Sequence, residues 1–527
     1  MPKVLISDKM NKLAEDIFKA RGVEVDVKTG LKPEELAAII GDYDGLAIRS
    51  STTVTPEILD AAKNLKVVGR AGIGVDNVDI KAATSKGVIV MNTPFGNSIT
   101  TAEHAIAMMF ALARDIPQAS ESTHLGKWEK NKFMGVELYS KTLGLIGCGN
   151  IGSIVADRAI GLKMNVLAYD PFLSNEKAVE LGVKKVELDE LFAESDFITL
   201  HVPKNDKTKG IISKDSIAKM KKGVRIINCA RGGLIVEQDL KEALDSGAVA
   251  GAALDVFDTE PATKETTPLL GHPKVICTPH LGASTDEAQV NVAIQVAEQI
   301  ADYLMTGAVV NALNTPSISA EDAPRLKPYL KLAEQLGSFA GQITESGIKS
   351  INIAYEGTVS ELNVKPLNAA LVASLLKTVS DSVNMVNAIP FAESKGIQIS
   401  ETKSGSQKDF RSLITVTIHS ETRTRTVAGT LFTGREPRIV DIEGVPIEAA
   451  LSKDMLFIRN EDQPGLIGAL GTILGDAKQN IADFRLGRTD GGDSAVCLLS
   501  LDAPLSDTLF KEVSNLPQVK TAKRLSF

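Results

Sequence analysis

Along the N-terminal half of the chain, short apolar runs alternate with stretches of helical periodicity. KVLIS (3–7), VEVDV (23–27), GLAIRS (45–50), KVVGR (66–70) and VIVMN (88–92) read as strands. Between them lie a helix over 9–21, helices opening at Pro33 and Pro56, and a helix from Val78. Proline suits a first helical turn because its fixed φ is helical and its missing N–H would be unpaired there. Strands alternating with helices predict a parallel, doubly wound sheet. Residues 97–114 are apolar nearly all round, which predicts a buried helix, packed between domains or against another subunit. Glu103 and His104 then read as satisfied polar groups of a domain-crossing helix.

The alternation sharpens at TLGLI (142–146), which runs into Gly147-Cys148-Gly149-Asn150-Ile151-Gly152. A helix follows with Ile154, Val155, Ala159 and Leu162 on one face, then an apolar run over 165–169 ending at Asp170. Strand, glycine turn, helix, strand and terminal acid form a dinucleotide-binding pattern. Gly147 makes the turn, Gly149 admits a pyrophosphate, and Gly152 lets helix and strand pack closely. Asn150 and Ile151 open the helix, whose free N–H groups suit phosphates. A carboxylate at Asp170 accepts ribose hydroxyls and repels a 2′-phosphate, which selects NAD over NADP. Further strands follow at 196–203, 223–233, 250–257 and 274–282, and a helix over 285–307 returns the chain to the first unit. The expected architecture is α/β. It has a flavodoxin-like substrate domain (1–97 with 285–315) and a Rossmann cofactor domain (98–284), both doubly wound parallel sheets.

The pattern changes after a Pro/Ser-rich linker at 313–324. Helices over 329–346 and 366–388 mix with strands such as INIAYEG and SLITVTIHS, predicting a separate α+β domain over 317–452. Arg435 and Arg438 make a small basic spot there, a solvated loop or an anion site. Residues 453–527 read strand, helix, strand, strand, helix, strand, a ferredoxin-like unit. Asn460 and Asp462 enter its first helix and Asn480 follows it; such residues cap helices, and also suit recognition of a free amino acid.

Composition narrows the function. A chain of 527 residues needs several cores, and its net charge of −8 argues against nucleic acid and anionic membranes as partners. No apolar stretch is long enough to span a membrane. The N-terminus enters a strand directly, so a cytoplasmic enzyme is expected. The four scattered cysteines form no zinc or disulfide pattern, and no metal is expected.

Chemistry gathers at strand ends, where open α/β sheets bind ligands. Arg49-Ser50 follows the third strand, and Arg70 with Gly72 and Gly74 follows the fourth. They suit a carboxylate or phosphate, or are solvated. Arg231, Glu260 and His280 follow successive strands of the second unit. A histidine can take a hydroxyl proton, a glutamate can steady its imidazolium, and an arginine can clamp an α-carboxylate.

ARGGLIVE, DVFDTEP, TPHLGAST and GCGNIG, with RAGIGVDNVD and NSITTAEHA, resemble the D-isomer-specific 2-hydroxyacid dehydrogenase family over 1–315. That likeness implies catalytic roles for Arg231, Glu260 and His280. It implies NAD contacts at Asn150, Ile151, Asp170, Cys229, Ala230, Asp255 and the turn His280-Leu281-Gly282-Ala283. The remainder resembles long-form members, which add an intervening domain and a C-terminal ACT regulatory domain. They imply oxidation of 3-phospho-D-glycerate to 3-phosphooxypyruvate, the entry to serine synthesis, in a homodimer or homotetramer. Arg49 and Arg70 would hold the phosphorylated acid, and Asn460, Asp462 and Asn480 would bind L-serine as effector. A related glycerate or glyoxylate enzyme and a non-catalytic NAD sensor are the alternatives.

Overall fold

The computed structural model describes residues 1–318, 321–380, 382–406, 409–489 and 495–527. In the first sheet the strands lie in the order Glu24–Val27, Lys3–Ile6, Gly45–Ile48, Val67–Arg70, Ile89–Asn92, all parallel. The chain winds outward in both directions from Lys3–Ile6 and Gly45–Ile48, and a ligand crevice opens beyond the carboxyl ends at such a switch. Helix Asp286–Thr306 closes one face: Val292, Val296 and Ile300 pack with Val4, Ala47 and Val67. This core is therefore built from two distant parts of the sequence.

The second sheet runs Val275–Cys277, Val249–Leu254, Val224–Asn228, Phe197–Leu200, Thr142–Ile146, Asn165–Tyr169, Lys184–Lys185, again all parallel. Its switch lies between Thr142–Ile146 and Phe197–Leu200, where the glycine turn begins. Helix Ser98–Arg114 packs on this sheet, with Ala102, Ala105, Met109 and Leu112 against Leu143, Val155 and Ala253.

A third sheet has six strands: Gln398–Ser404, Ile348–Gly357, Ser412–Ser420, Thr424–Phe432, Glu436–Ile442 and Val445–Ala449. Only its first pair is parallel. Helix Ala323–Ile343 lies on it and begins inside the stretch read as a linker, with Pro324 in its first turn. Ser319 and Ala320 of that linker lie outside the described residues. The helix expected over 366–388 ends at Leu376, and a separate helix starts at Ala388. Asp381 lies outside the described residues. The break has a local cause. Asn387 Oδ1 accepts from Asn384 N at 2.7 Å and Asn384 Oδ1 from Val386 N at 2.9 Å, so asparagine side chains take backbone donors that a helix would use.

The fourth sheet is antiparallel, ordered Ile481–Arg488, Ala495–Leu501, Asp454–Asn460, Val519–Ser526, with helices Leu466–Asp476 and Asp507–Ser514 on one face. Leu456, Ile458, Cys497 and Leu499 point to those helices. Met455, Phe457, Val496, Leu498 and Leu525 point the other way, into one continuous core with Phe339 and the six-stranded sheet. The Phe339 and Phe457 rings meet edge to face at 5.8 Å. No helix among the described residues is long and apolar enough to cross a membrane.

Candidate functional site

The glycine turn has the geometry of a phosphate cradle. Gly147 adopts φ 95°, which disfavours any side chain, and a Cβ there would lie 2.5 Å from His201 O. A Cβ on Gly152 would lie 2.0 Å from Gly147 O, so helix and strand touch through backbone alone. A Cβ on Gly149 would meet nothing within 4 Å: the space above the turn is open. Helix Asn150–Gly161 starts beneath that space with no side chain capping its first turn. Exposed Asn150 and half-buried Ile151 are its first residues. Asp170 accepts Cys148 N and Phe172 N, both at 2.8 Å, and so fixes the turn to the end of the second strand. Burial pushes the Cys148 thiol up to about 11, which keeps it an inert filler. Open room, free helix N–H groups and a terminal acid together fit a dinucleotide.

His201 was not singled out in the sequence. It follows strand Phe197–Leu200 directly, and its backbone carbonyl and Cβ lie against the glycine turn. Nε2 is 2.9 Å from Thr199 Oγ1, and the buried Nδ1 has no partner. Burial lowers its pKa to about 4, so the ring is neutral. Its only sequence signal was its place, directly after a strand of the cofactor sheet.

Three neighbouring loops of that sheet carry Arg231, Glu260 and His280. His280 Nδ1 donates to Glu260 Oε2 at 2.7 Å, and Glu260 Oε1 accepts Phe257 N at 3.0 Å. The bond to Glu260 raises the His280 pKa against the opposing effect of burial. Burial alone would raise Glu260, but hydrogen bonds from His280 and Phe257 N hold it below the usual carboxylate range. His280 has φ 54°, a left-handed conformation that its surroundings must enforce. Asp255, 1% exposed, does so. Its carbonyl accepts His280 N at 2.9 Å, and its carboxylate accepts Leu281 N at 2.7 Å, Gly282 N at 2.8 Å and Thr278 Oγ1 at 2.5 Å. His104 Nε2 lies 3.2 Å from Asp255 Oδ1, so His104 is indeed a satisfied polar group on its helix. These bonds outweigh burial and keep the Asp255 pKa low. Ala283 ends the same turn and accepts Gln289 Nε2 at 2.8 Å. Asp255, Phe257, Glu260, Leu270, Cys277 and His280 line a cavity of about 610 Å³. Cys229 is buried, its thiol driven upward by that burial, and Ala230 follows it into the loop.

The first sheet brings its own loops to this region. Buried Asp8 accepts Arg49 N at 2.6 Å, Thr52 N at 3.1 Å and Thr52 Oγ1 at 2.8 Å. Asn77 Nδ2 donates to Arg49 O at 2.7 Å and Thr52 O at 2.6 Å, binding the two loops together. Arg49 Nη1 reaches Lys9 O at 3.0 Å, and Ser50 is exposed. Arg70 is poorly satisfied. Its Nε is buried without a partner, and its pKa is lowered to about 10 by burial, then by repulsion from Arg231 and Arg49. Gly72 and Gly74 lie directly under guanidinium groups. A Cβ would sit 1.6 Å from Arg70 Nη1 at the first and 1.8 Å from Arg231 Nη2 at the second. Arg231 Nε donates to Asp76 Oδ2 at 3.1 Å and Nη1 to Ala230 O at 2.6 Å.

The residues matched to an effector site are not gathered in one chain. Asn460 is 2% exposed, its amide turned to Glu461 O at 2.7 Å and Cys497 Sγ at 3.6 Å. Asp462 pairs with Arg488 Nη2 at 2.5 Å, and Asn480 with Asp502 Oδ2 at 2.7 Å. An eleven-residue helix, roughly 16 Å long, separates Asp462 from Asn480. Arg438 lies within strand Glu436–Ile442, not in a loop, and its Nη2 pairs with Glu436 at 2.9 Å. Among the described residues no cluster of His, Cys, Asp and Glu could hold a metal ion.

Comparison with known proteins agrees with this geometry. Residues 106–282 match the family model of the D-isomer specific 2-hydroxyacid dehydrogenase NAD binding domain, and 325–443 that of the D-3-phosphoglycerate dehydrogenase intervening domain. The chain is 44% identical over 524 residues to a D-3-phosphoglycerate dehydrogenase of Synechocystis, covering 99% of this chain and 94% of that one. With the Bacillus subtilis protein of the same name it shares 42% over 525 residues, 99% of each chain. Among solved structures, a glyoxylate reductase from Paecilomyes thermophila superposes with TM-score 0.55 at 30% identity, over 59% of this chain and 98% of that one. The chain, an NAD-dependent oxidoreductase, thus belongs to the D-3-phosphoglycerate dehydrogenase family within the D-isomer-specific 2-hydroxyacid dehydrogenases.

Proposed function

We propose that the protein oxidises 3-phospho-D-glycerate to 3-phosphooxypyruvate with NAD, opening L-serine synthesis. The observation that carries this reading is the His280–Glu260 pair, 2.7 Å apart, with the Arg231 guanidinium near enough to act on the charges of both His280 and Arg70, and Arg49 near enough to repel Arg70. Gly147, Gly149, Gly152, Asn150 and Ile151 would hold the pyrophosphate of NAD, and Asp170 its ribose. Cys229, Ala230, Asp255 and the 280–283 turn would line the nicotinamide end. When bound, NAD supplies the hydride acceptor. Glu260 keeps the His280 proton on Nδ1, so Nε2 is free to take the C2 hydroxyl proton. Arg231 holds the carboxylate bidentately. Arg49 and Arg70, with Ser50 and the 72–74 backbone, hold the phosphate end.

The same proposal assigns a substrate domain (1–97 with 285–315), a cofactor domain (98–284), an intervening domain (317–452) and an ACT domain (453–527). The ACT unit would bind L-serine at Asn460, Asp462 and Asn480. Their separation within one chain suits a site shared between two copies. Phe110, Ile116, Leu125, Trp128, Met134 and Tyr139 are exposed on and after helix Ser98–Arg114 and suit a homodimer contact. The four cysteines are free, which suits a cytoplasmic enzyme.

The test is NADH consumption with 3-phosphooxypyruvate, with and without L-serine. Turnover that serine suppresses supports substrate and effector together. Turnover indifferent to serine removes the effector alone. Activity confined to unphosphorylated 2-oxoacids overturns the roles of Arg49 and Arg70.

A further inference from the structure

Arg231 and Arg49 repel the half-buried Arg70, whereas the carboxylates of Asp76 and Asp8 favour its charge. The two differ in freedom. Asp8 is 4% exposed and its oxygens are committed to the Arg49–Thr52 loop. The Asp76 side chain is 73% exposed and holds Arg231 through one bond, Oδ2 to Nε. Asp76 belongs to the loop after Val67–Arg70 of the first sheet, and Arg231 to the loop after Val224–Asn228 of the second. Their ion pair therefore spans the two sheets that enclose the substrate.

We propose that Asp76 is a placeholder counter-ion: it holds Arg231 while the cleft is empty, and the carboxylate of the substrate displaces it. The inference rests on the reading of Arg231 as the carboxylate clamp. Arg231 is the more firmly held of the two, its side chain 27% exposed against 73% for Asp76. Gly74 lies against Nη2, and Nη1 is tied to Ala230 O at 2.6 Å. Asp76 can swing into water, where its carboxylate is hydrated at little cost. While it stays, it competes for the guanidinium and repels an incoming anion that carries both a carboxylate and a phosphate. Its presence therefore sets how tightly the acid binds, without touching the reacting carbon.

The experiment is steady-state oxidation of 3-phospho-D-glycerate by D76N, D76E and R231K in the full-length protein. Removing one exposed competing charge should lower the KM for the acid about threefold in D76N, with kcat within roughly twofold of wild type. The KM for NAD should not move. D76E retains the charge and should keep the wild-type KM. An unchanged KM in D76N overturns the inference; a raised one does too, and makes Asp76 a positioning residue for Arg231. R231K separates the two layers of the argument. If it leaves the KM for the acid unchanged, the clamp reading has failed. If it raises that KM and D76N lowers nothing, only the counter-ion role has failed.

Discussion

The two parallel sheets share a topology of strands and helices but use their carboxyl ends in opposite ways. At the cofactor sheet, the Gly149 position faces open space and backbone N–H groups line it. At the first sheet, Gly72 and Gly74 have no free room, because guanidinium groups already rest on them. One set of glycines leaves a vacancy for a ligand's phosphates. The other makes way for the protein's own cations, which then meet the ligand's anions. A glycine-rich loop at a strand end thus has two readings, and what lies above its Cα decides between them.

The largest break in this division should come from the residue that acts on the reaction itself. His280→Asn should lower turnover about a thousandfold, within the usual range for loss of a general base. NAD affinity, followed by fluorescence titration, should be retained; a variant with wild-type turnover would remove His280 from the chemistry. Next, Gly74→Ala should displace Arg231 and raise the KM for the acid by about tenfold, the scale of one lost charged hydrogen bond, leaving NAD binding intact. Gly149→Ala should do the reverse, weakening NAD alone, with thermal stability unchanged. If both variants disturb the same ligand, the contrast between the sheets is wrong.

The smallest effect concerns pH. Glu260 raises the His280 pKa, and oxidation needs the neutral ring. The rate should therefore fall as pH drops through a value above about 6.5, the ordinary histidine pKa. Glu260→Gln should move that midpoint downward. The sign for stability is the opposite: a raised histidine pKa stabilises the fold below its unfolded value and loses that contribution as pH rises through the folded one. A pH profile that stays put in Glu260→Gln would break the coupling.

Most of the site was legible because period and chemistry coincide at strand ends. Gly147 to Gly152, Asp170, Arg231, Glu260 and His280 each follow an apolar run of readable length. What supports them was not legible. Asp8 reaches forward to Thr52 and Asn77 back to Arg49, pairings set by tertiary register, not by spacing. Asp255 reads from the sequence as a cofactor contact, but spacing does not show that its carboxylate also holds the His280 turn. The helix drawn through 366–388 followed apolar periodicity and missed Asn384 and Asn387, whose amides capture backbone groups and also bind Gly87 and Ser85 at 3.2 Å. Asn460 shows the same limit: an amide suited to a ligand is 2% exposed inside its own sheet.

The core shared by the last two sheets governs how the protein comes apart. Phe457 and Leu498 of the four-stranded sheet and Phe339 of the neighbouring helix lie in one apolar cluster. The two modules should melt in a single cooperative transition, with no separate step for the C-terminal one. Deleting residues 453–527 would uncover Phe339 and its neighbours to water. Inactivity in such a truncation would then report aggregation, and only point substitutions on the helix-covered face can separate control from folding.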